Sequence, residues 1–354
     1  MIPSKMKAGL MYGPGDVRIE MVPTPKPEDN GVLIRVEAVG ICATDVKKYI
    51  GLSSVSFPII LGHEFAGTIV SMGKNVNGYK IGEKVSANPD IPCFQCKYCI
   101  QSKYNLCTQL SVIGYGTEEI EPINGAFAQY VKVPTWNLIR LQHSITFEEA
   151  TFIEPFACVI RSFNQGRVSI SDEIVILGDG RIGLLHIQLA REYGVKGIYV
   201  TGLSDNRLAI ARELGVKSAI NVQNTDPVDF ISKVTYDGAD VVFDTTGSVP
   251  AAEQGVQMLA PHGRFVSFAG FPKSQSSMKI NPRDLHYKEI TLTGSFGYGS
   301  LMDYYLAEQL INSRKIDVDI LTTYTRPLDD LEKGLKEIAE LKSIRTILKP
   351  NMNS

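Results

Sequence analysis

The sequence predicts an α/β protein in two parts, a β-rich part and a doubly wound parallel sheet with helices on both faces. Three observations carry this. From Met6 to about Val133 the chain runs in short alternating stretches broken by Gly and Pro, such as Val17-Arg18-Ile19-Glu20-Met21 and Val32-Leu33-Ile34-Arg35-Val36, the period-two pattern of half-buried strands between turns. From about Ser169 apolar strand runs alternate with helical patterns, which implies parallel strands with helical crossovers. A glycine-rich turn, Gly178-Asp179-Gly180-Arg181-Ile182-Gly183, joins the first of those strands to the first of those helices.

Taken in order, Glu173-Ile174-Val175-Ile176-Leu177-Gly178 reads as a buried strand and Ile182 to Tyr193 as a helix. Further strands are expected at Gly197–Thr201, Ser218–Val222, Asp240–Asp244, Arg264–Ala269 and Glu289–Gly294, separated mostly by helical stretches. From Pro327 to Leu341 the apolar residues Leu328, Leu331, Leu335, Ile338 and Leu341 recur every three or four positions, a helical face. Arg345-Thr346-Ile347-Leu348 reads as a closing strand. No internal repeat or low-complexity linker interrupts the chain.

At 354 residues the chain is long enough for two domains, each with its own core. With 36 Lys and Arg against 38 Asp and Glu, the net charge is −2, which lacks the basic excess of a nucleic-acid or membrane-surface protein. A composition of 44% hydrophobic and 21% charged residues is that of an ordinary globular protein. The stretch Met1 to Leu10 is too often interrupted by Pro3, Ser4, Lys5 and Lys7 to form a signal peptide, and no apolar run approaches the roughly 20 residues of a membrane span. Four of the six cysteines fall between Cys93 and Cys107, which suggests a metal site in a reducing, cytoplasmic setting.

The glycine turn fits G-x-G-x-x-G in the strand-turn-helix setting that gives this pattern its meaning. Gly178, Gly180 and Gly183 allow a tight turn, close approach of a pyrophosphate and close helix packing, with Arg181 and Ile182 opening the helix whose N–H groups face the phosphates. A carboxylate about twenty residues on would bind the ribose hydroxyls of NAD; at the end of the next strand the sequence has Gly202, followed by Ser204 and Arg207. Absence of the carboxylate favours NADP, with Ser204 and Arg207 available to a 2′-phosphate. NAD stays open, as does a plain helix start with Asp205 as N-cap and Arg207 solvated. Thr245, just past the strand Asp240–Asp244, is counted with the dinucleotide contacts.

Cys93, Cys96, Cys99 and Cys107 have the spacing of a closed tetrahedral zinc site. A ferredoxin-type cluster shares the first three but places its fourth cysteine sooner and before Pro. Three further pieces, Cys42-Ala43-Thr44-Asp45, Gly62-His63-Glu64 and Glu154-Pro155, supply the Cys, His and carboxylate ligands of a zinc with an open position.

With these motifs, Gly67 and Gly125-Ala126-Phe127-Ala128-Gln129-Tyr130-Val131, the sequence resembles the zinc-containing medium-chain dehydrogenase/reductases over essentially its whole length, and within them the polyol branch of sorbitol, xylitol, galactitol-phosphate and threonine dehydrogenases. The resemblance implies a GroES-like catalytic domain, residues 1–153 and 286–354 with a zinc lobe at about 90–110, around a Rossmann domain at 154–285. It implies catalytic zinc ligands Cys42, His63 and Glu154, the last directly or through water, with Glu64 adjacent or exchanging, Asp45 orienting His63, and Thr44 hydrogen-bonding the substrate oxygen. It implies hydride transfer between a secondary alcohol and NAD(P), one catalytic and one structural zinc per chain, and a homo-oligomer, a tetramer or dimer; a threonine-type amino-alcohol dehydrogenase or a non-catalytic nucleotide-binding protein are the alternatives. The chain departs from the sorbitol enzymes where Gly297 stands in place of an Arg, and from some relatives where Lys47, followed by Lys48, stands in place of a relay His. Those lysines suit either an acidic substrate or a solvated surface, and Cys158 is expected to be a small core residue.

Overall fold

The computed structural model describes residues 1–116, 121–271, 274 and 277–352. It divides into two compact units, Met1–Pro155 with Gly299–Ser354, and Phe156–Tyr298.

In the first unit the strand Gly31–Gly40 is buried at almost every position. It pairs antiparallel with Glu64–Met72, Tyr130–Pro134 and the late strand Thr346–Lys349. Tyr324–Pro327 adds to Thr346–Lys349 in parallel, while Lys84–Ala87 and Leu138–Arg140 extend the other side. Val32, Ile34, Val36 and Val39 from the central strand share one core with Phe65, Phe127 and the late residues Leu331, Leu335 and Leu348. The late segment belongs to this unit because its apolar residues complete that core. The helix expected from Pro327 begins later. Pro327, which has no N–H to donate, ends a strand, Leu328–Asp330 form a 3-10 turn, and the helix is Leu331–Ala339. Leu341, exposed and at φ 59°, lies beyond it.

Among the described residues the second unit holds six parallel strands in the order Ser218–Asn221, Gly197–Gly202, Glu173–Leu177, Ala239–Asp244, Leu259–Ser267 and Thr291–Gly294. This is the doubly wound arrangement whose strand order reverses beside the first strand. Glu173–Leu177 is buried throughout, as a strand covered on both faces must be. Residue 286, expected at the return to the first unit, lies inside the helix Pro282–Tyr287 of the second. Arg264 to Ser267 pair with Thr291 to Gly294, so the chain leaves this unit only after Tyr298.

His186, on the helix Arg181–Tyr193, is fully buried among Phe163, Phe243 and Phe268. Its Nδ1 is 2.8 Å from the Ile182 carbonyl and its Nε2 2.8 Å from the Ser162 hydroxyl. Burial pulls its pKa down to about 4, because the charged ring has no water. The folded state therefore binds this proton less well than the unfolded chain. Its contribution is complete above about pH 6.5 and is lost as the pH falls towards 4. We expect wild-type stability to fall by about 2 kcal/mol between pH 7 and pH 5 on this account, and His186→Gln to remove that part of the slope in urea unfolding curves. Parallel slopes for the two proteins would refute it.

Candidate functional site

The strand Gly31–Gly40 delivers Cys42 to the N-cap of the helix Ala43–Tyr49. The buried Asp45 accepts the Cys42 N–H at 2.9 Å through Oδ2, which fixes the turn. Its Oδ1 lies 3.7 Å from His63 Nδ1. His63 and Glu64 follow Gly62, whose φ of 94° and contact with Phe127, 2.7 Å from where a Cβ would sit, admit only glycine. The ligand atoms of Cys42, His63 and Glu64 all lie within 4.8 Å of one another. Glu154, at the start of the helix Ile153–Gly166, is outside that set, although its charge acts on His63.

Glu64 is 1% exposed and forms an ion pair with Arg345, itself fully buried just before the strand Thr346–Lys349. Arg345 also donates to the Thr151 carbonyl at 2.9 Å and lies over the Phe152 ring at 4.2 Å. Gly40 makes room for it: a Cβ there would come within 1.8 Å of the guanidinium. Lys48 is 1% exposed, so it is not a solvated lysine. Its Nζ lies 4.0 Å from the Tyr115 ring centroid, and that ring meets His63 edge-on at 5.8 Å. Burial lowers the Lys48 pKa, against the charges of Asp45 and Cys42. Burial also pulls His63 down, but Cys42, Asp45 and Glu154 together hold it well above its ordinary value. Asp90, in the strand Asp90–Ile91, is pushed up to about 7 by burial, with His63 opposing.

These residues fit a divalent cation. The group concentrates negative charge around one imidazole, and the buried His63 Nδ1, Asp45 Oδ1 and Thr44 Oγ1 lack hydrogen-bond partners among the described residues. The four cysteines also lie within 4.8 Å of one another. Cys93 and Cys99 sulfurs are 3.9 Å apart and those of Cys96 and Cys99 3.5 Å, close to the roughly 3.8 Å between thiolates on one tetrahedral zinc with bonds of about 2.3 Å. Backbone N–H groups of Cys93, Cys96 and Gln109 point at sulfur, which favours thiolate. Cys158 is a half-buried residue of another helix, apart from both sets.

In the second unit the glycine turn behaves as its spacing requires. Gly178 has φ 111°, and a Cβ on Gly183 would lie 2.0 Å from the Gly178 carbonyl oxygen. Gly180 is the N-cap of Arg181–Tyr193, with open space where its Cβ would be. Arg181 and Ile182 form the first helical positions. Thr245 Oγ1 donates to the Leu177 carbonyl at 2.7 Å and thereby packs against Gly178. Ser204, rather than Asp205, is the N-cap of Asp205–Glu213, accepting the Arg207 N–H at 3.5 Å. The place beside Gly202 is not free of carboxylate: Asp179 fills it. Reading the residues one at a time missed Arg345, Asp179 and Tyr115. The one sequence signal was an acidic residue inside the glycine turn.

A family model for the alcohol dehydrogenase GroES-like domain matches residues 28–143, and one for zinc-binding dehydrogenase matches 182–313. The sequence is 31% identical to sorbitol dehydrogenase of Bacillus subtilis (strain 168) over 357 residues, covering 99% of both proteins. The chain belongs to the zinc-containing medium-chain dehydrogenase/reductase family. Among solved structures of similar proteins are a zinc-binding dehydrogenase from Sinorhizobium meliloti 1021 bound to NADP, with TM-score 0.92, 27% identity and 98% and 100% of the two chains covered, and 2R,3R-butanediol dehydrogenase from Bacillus subtilis, with TM-score 0.88, 29% identity and 98% and 100% covered. As a member of this family the protein is a zinc-binding oxidoreductase of alcohols that works with a nicotinamide dinucleotide, and its first unit has the GroES-like fold and its second the Rossmann fold.

In this dehydrogenase the Glu64–Arg345 pair sets a sharp stability requirement. Arg345→Leu leaves the Glu64 charge buried without its partner and is expected to cost about 3–5 kcal/mol. Removing both charges, Glu64→Gln with Arg345→Leu, is expected to recover part of that loss in urea unfolding. An unfolding midpoint for the single variant equal to wild type would show that the pair carries no such weight.

Proposed function

We propose that this enzyme transfers a hydride between a secondary alcohol of a polyol or sugar derivative and NAD(P), giving the ketone. The observation that supports this most directly is the convergence of Cys42, His63 and Glu64 within 4.8 Å beside a buried cation, Lys48. Cys42, His63 and Glu64 are the groups that would hold the catalytic zinc, with Glu154 the remaining carboxylate, directly or through water. When bound, the zinc supplies Lewis acidity that brings an alcohol pKa towards neutrality, and the nicotinamide supplies the hydride acceptor.

The chain's own residues do the rest. Asp45 keeps the His63 ring in orientation from its Nδ1 side. Thr44, with a buried hydroxyl that has no partner among the described residues, hydrogen-bonds the substrate oxygen as that oxygen gives up its proton. Arg345 restrains Glu64. The helix N-terminus at Gly180, with Gly178 and Gly183, receives the pyrophosphate, and Gly202, Ser204, Arg207 and Thr245 surround the dinucleotide. Cys93, Cys96, Cys99 and Cys107 hold the structural zinc.

The relatives named sorbitol dehydrogenase point to a polyol, yet Gly297 stands where those enzymes are expected to place an Arg. Lys48 offers a cation in a different position, next to Tyr115 and His63. A buried ammonium there suits an oxygen-rich or acidic substrate and repels a substrate ammonium, which argues against an amino alcohol. A homo-oligomer belongs to the same proposal, supported by the strand Thr291–Gly294 at the open edge of its sheet.

Initial rates on polyols, sugar phosphates, simple secondary alcohols and threonine, with NAD and NADP before and after chelation, test the reading. Chelator-sensitive oxidation of a polyol or sugar derivative is expected; turnover of threonine alone would overturn the substrate class. Cys42→Ser is expected to abolish oxidation and Cys96→Ser to lower the melting temperature, each leaving about one zinc per chain where the wild type holds about two. Full activity in the Cys42 variant would remove the catalytic-zinc assignment.

A further inference from the structure

Asp179, the second residue of the glycine turn, is 9% exposed. Its Oδ2 accepts the backbone N–H groups of Leu203 at 3.0 Å and Ser204 at 2.8 Å, the two residues that follow the strand Gly197–Gly202. Gly202 lies directly against it. A Cβ at that position would sit 2.4 Å from Asp179 Oδ2 and 2.6 Å from its Cβ and Cγ. An Asp or Glu at 202 has no room, because a carboxylate from another part of the chain already occupies the place where such a side chain would go. In a doubly wound nucleotide fold this strand end faces the adenosine ribose.

The same geometry occupies two backbone donors that would otherwise face a 2′-phosphate. The Leu203 and Ser204 N–H groups are bonded to Asp179, and the Ser204 hydroxyl caps its helix by accepting the Arg207 N–H. We propose that Asp179 reads the adenosine ribose of the coenzyme and selects NAD over NADP. Both hydrogen bonds end on Oδ2, so the lone pairs of Oδ1 accept from ribose hydroxyls. A 2′-phosphate, carrying about −1.5 to −2 charge near neutral pH, meets a fixed carboxylate in a partly desolvated place where repulsion is stronger than in water. The preference is the reverse of the one read from Gly202 alone, and it rests on the dehydrogenase reading above.

The test is calorimetric titration of the full-length protein with NAD, NADP, ADP and 2′,5′-ADP; the last two probe the adenosine end without nicotinamide, substrate or turnover. The wild type is expected to bind NAD more tightly than NADP, and ADP more tightly than 2′,5′-ADP. Asp179→Asn keeps an oxygen for the two N–H groups and loses the charge; Asp179→Ser also opens space. Each is expected to narrow both ratios by about tenfold or more, with circular dichroism confirming the fold. A wild type that prefers NADP, or ratios unchanged in both variants, would overturn the assignment. If neither dinucleotide binds the folded wild type, the dehydrogenase reading fails and the assignment with it.

Discussion

The catalytic unit depends on one buried ion pair. Taking Glu64 and Arg345 out of water is expensive, and attraction between them compensates only when geometry is close and the remaining donors are satisfied. The structure meets those terms in part: the Thr151 carbonyl accepts from Nη2, the Phe152 ring covers the guanidinium and Gly40 leaves room for it, while Arg345 Nε has no hydrogen-bond partner among the described residues. Glu64 is the neighbour of His63 and opens a strand paired to Gly31–Gly40, the strand that leads into Cys42. Arg345 immediately precedes the closing strand Thr346–Lys349, which pairs with Gly40 and Val39. One interaction thus ties the closing strand to the carboxylate that lies beside His63 and Cys42.

Charge is distributed differently in the two units. Around His63 the thiol and carboxylate groups accumulate until the imidazole pKa is held high against its burial, and Asp45 and Cys42 also favour the charged form of the buried Lys48. Such a cluster is unfavourable without a cation, so its presence points to metal more strongly than any single ligand does. In the Rossmann unit a lone carboxylate is held instead by two backbone N–H groups. There it acts by shape and sign rather than by attracting a metal.

Much of this was legible in the sequence, for identifiable reasons. Strand periodicity, the glycine turn and the cysteine spacing are local patterns; the four cysteines of the lobe lie within 4.8 Å of one another, as do the ligand atoms of Cys42, His63 and Glu64, which share no such spacing in the sequence. What stayed hidden was non-local. Arg345 looks like any arginine at a strand end until the fold places it against Glu64. Gly202 reads as an absent carboxylate until Asp179 is seen filling its space. Lys48 and Lys47 are adjacent in sequence, yet only Lys48 is fully buried, a difference that helical phase alone does not reveal. The return of the chain at Gly299 instead of near residue 286 was hidden in the same way, since a strand's partners cannot be read from its own residues.

The pairing of Glu64 with Arg345, 281 positions apart, also orders events on the ribosome. At about 5–20 residues per second, Arg345 emerges on the order of tens of seconds after Glu64. Phe156–Tyr298 is contiguous and entirely synthesised within that interval, so the nucleotide-binding unit has all of its strands while the other unit still lacks its closing strand. During that interval Gly40 and Val39 have no partner from Thr346–Lys349, and Glu64 has no guanidinium. The nascent chain therefore passes through a stage with one unit fully synthesised and one sheet edge still open.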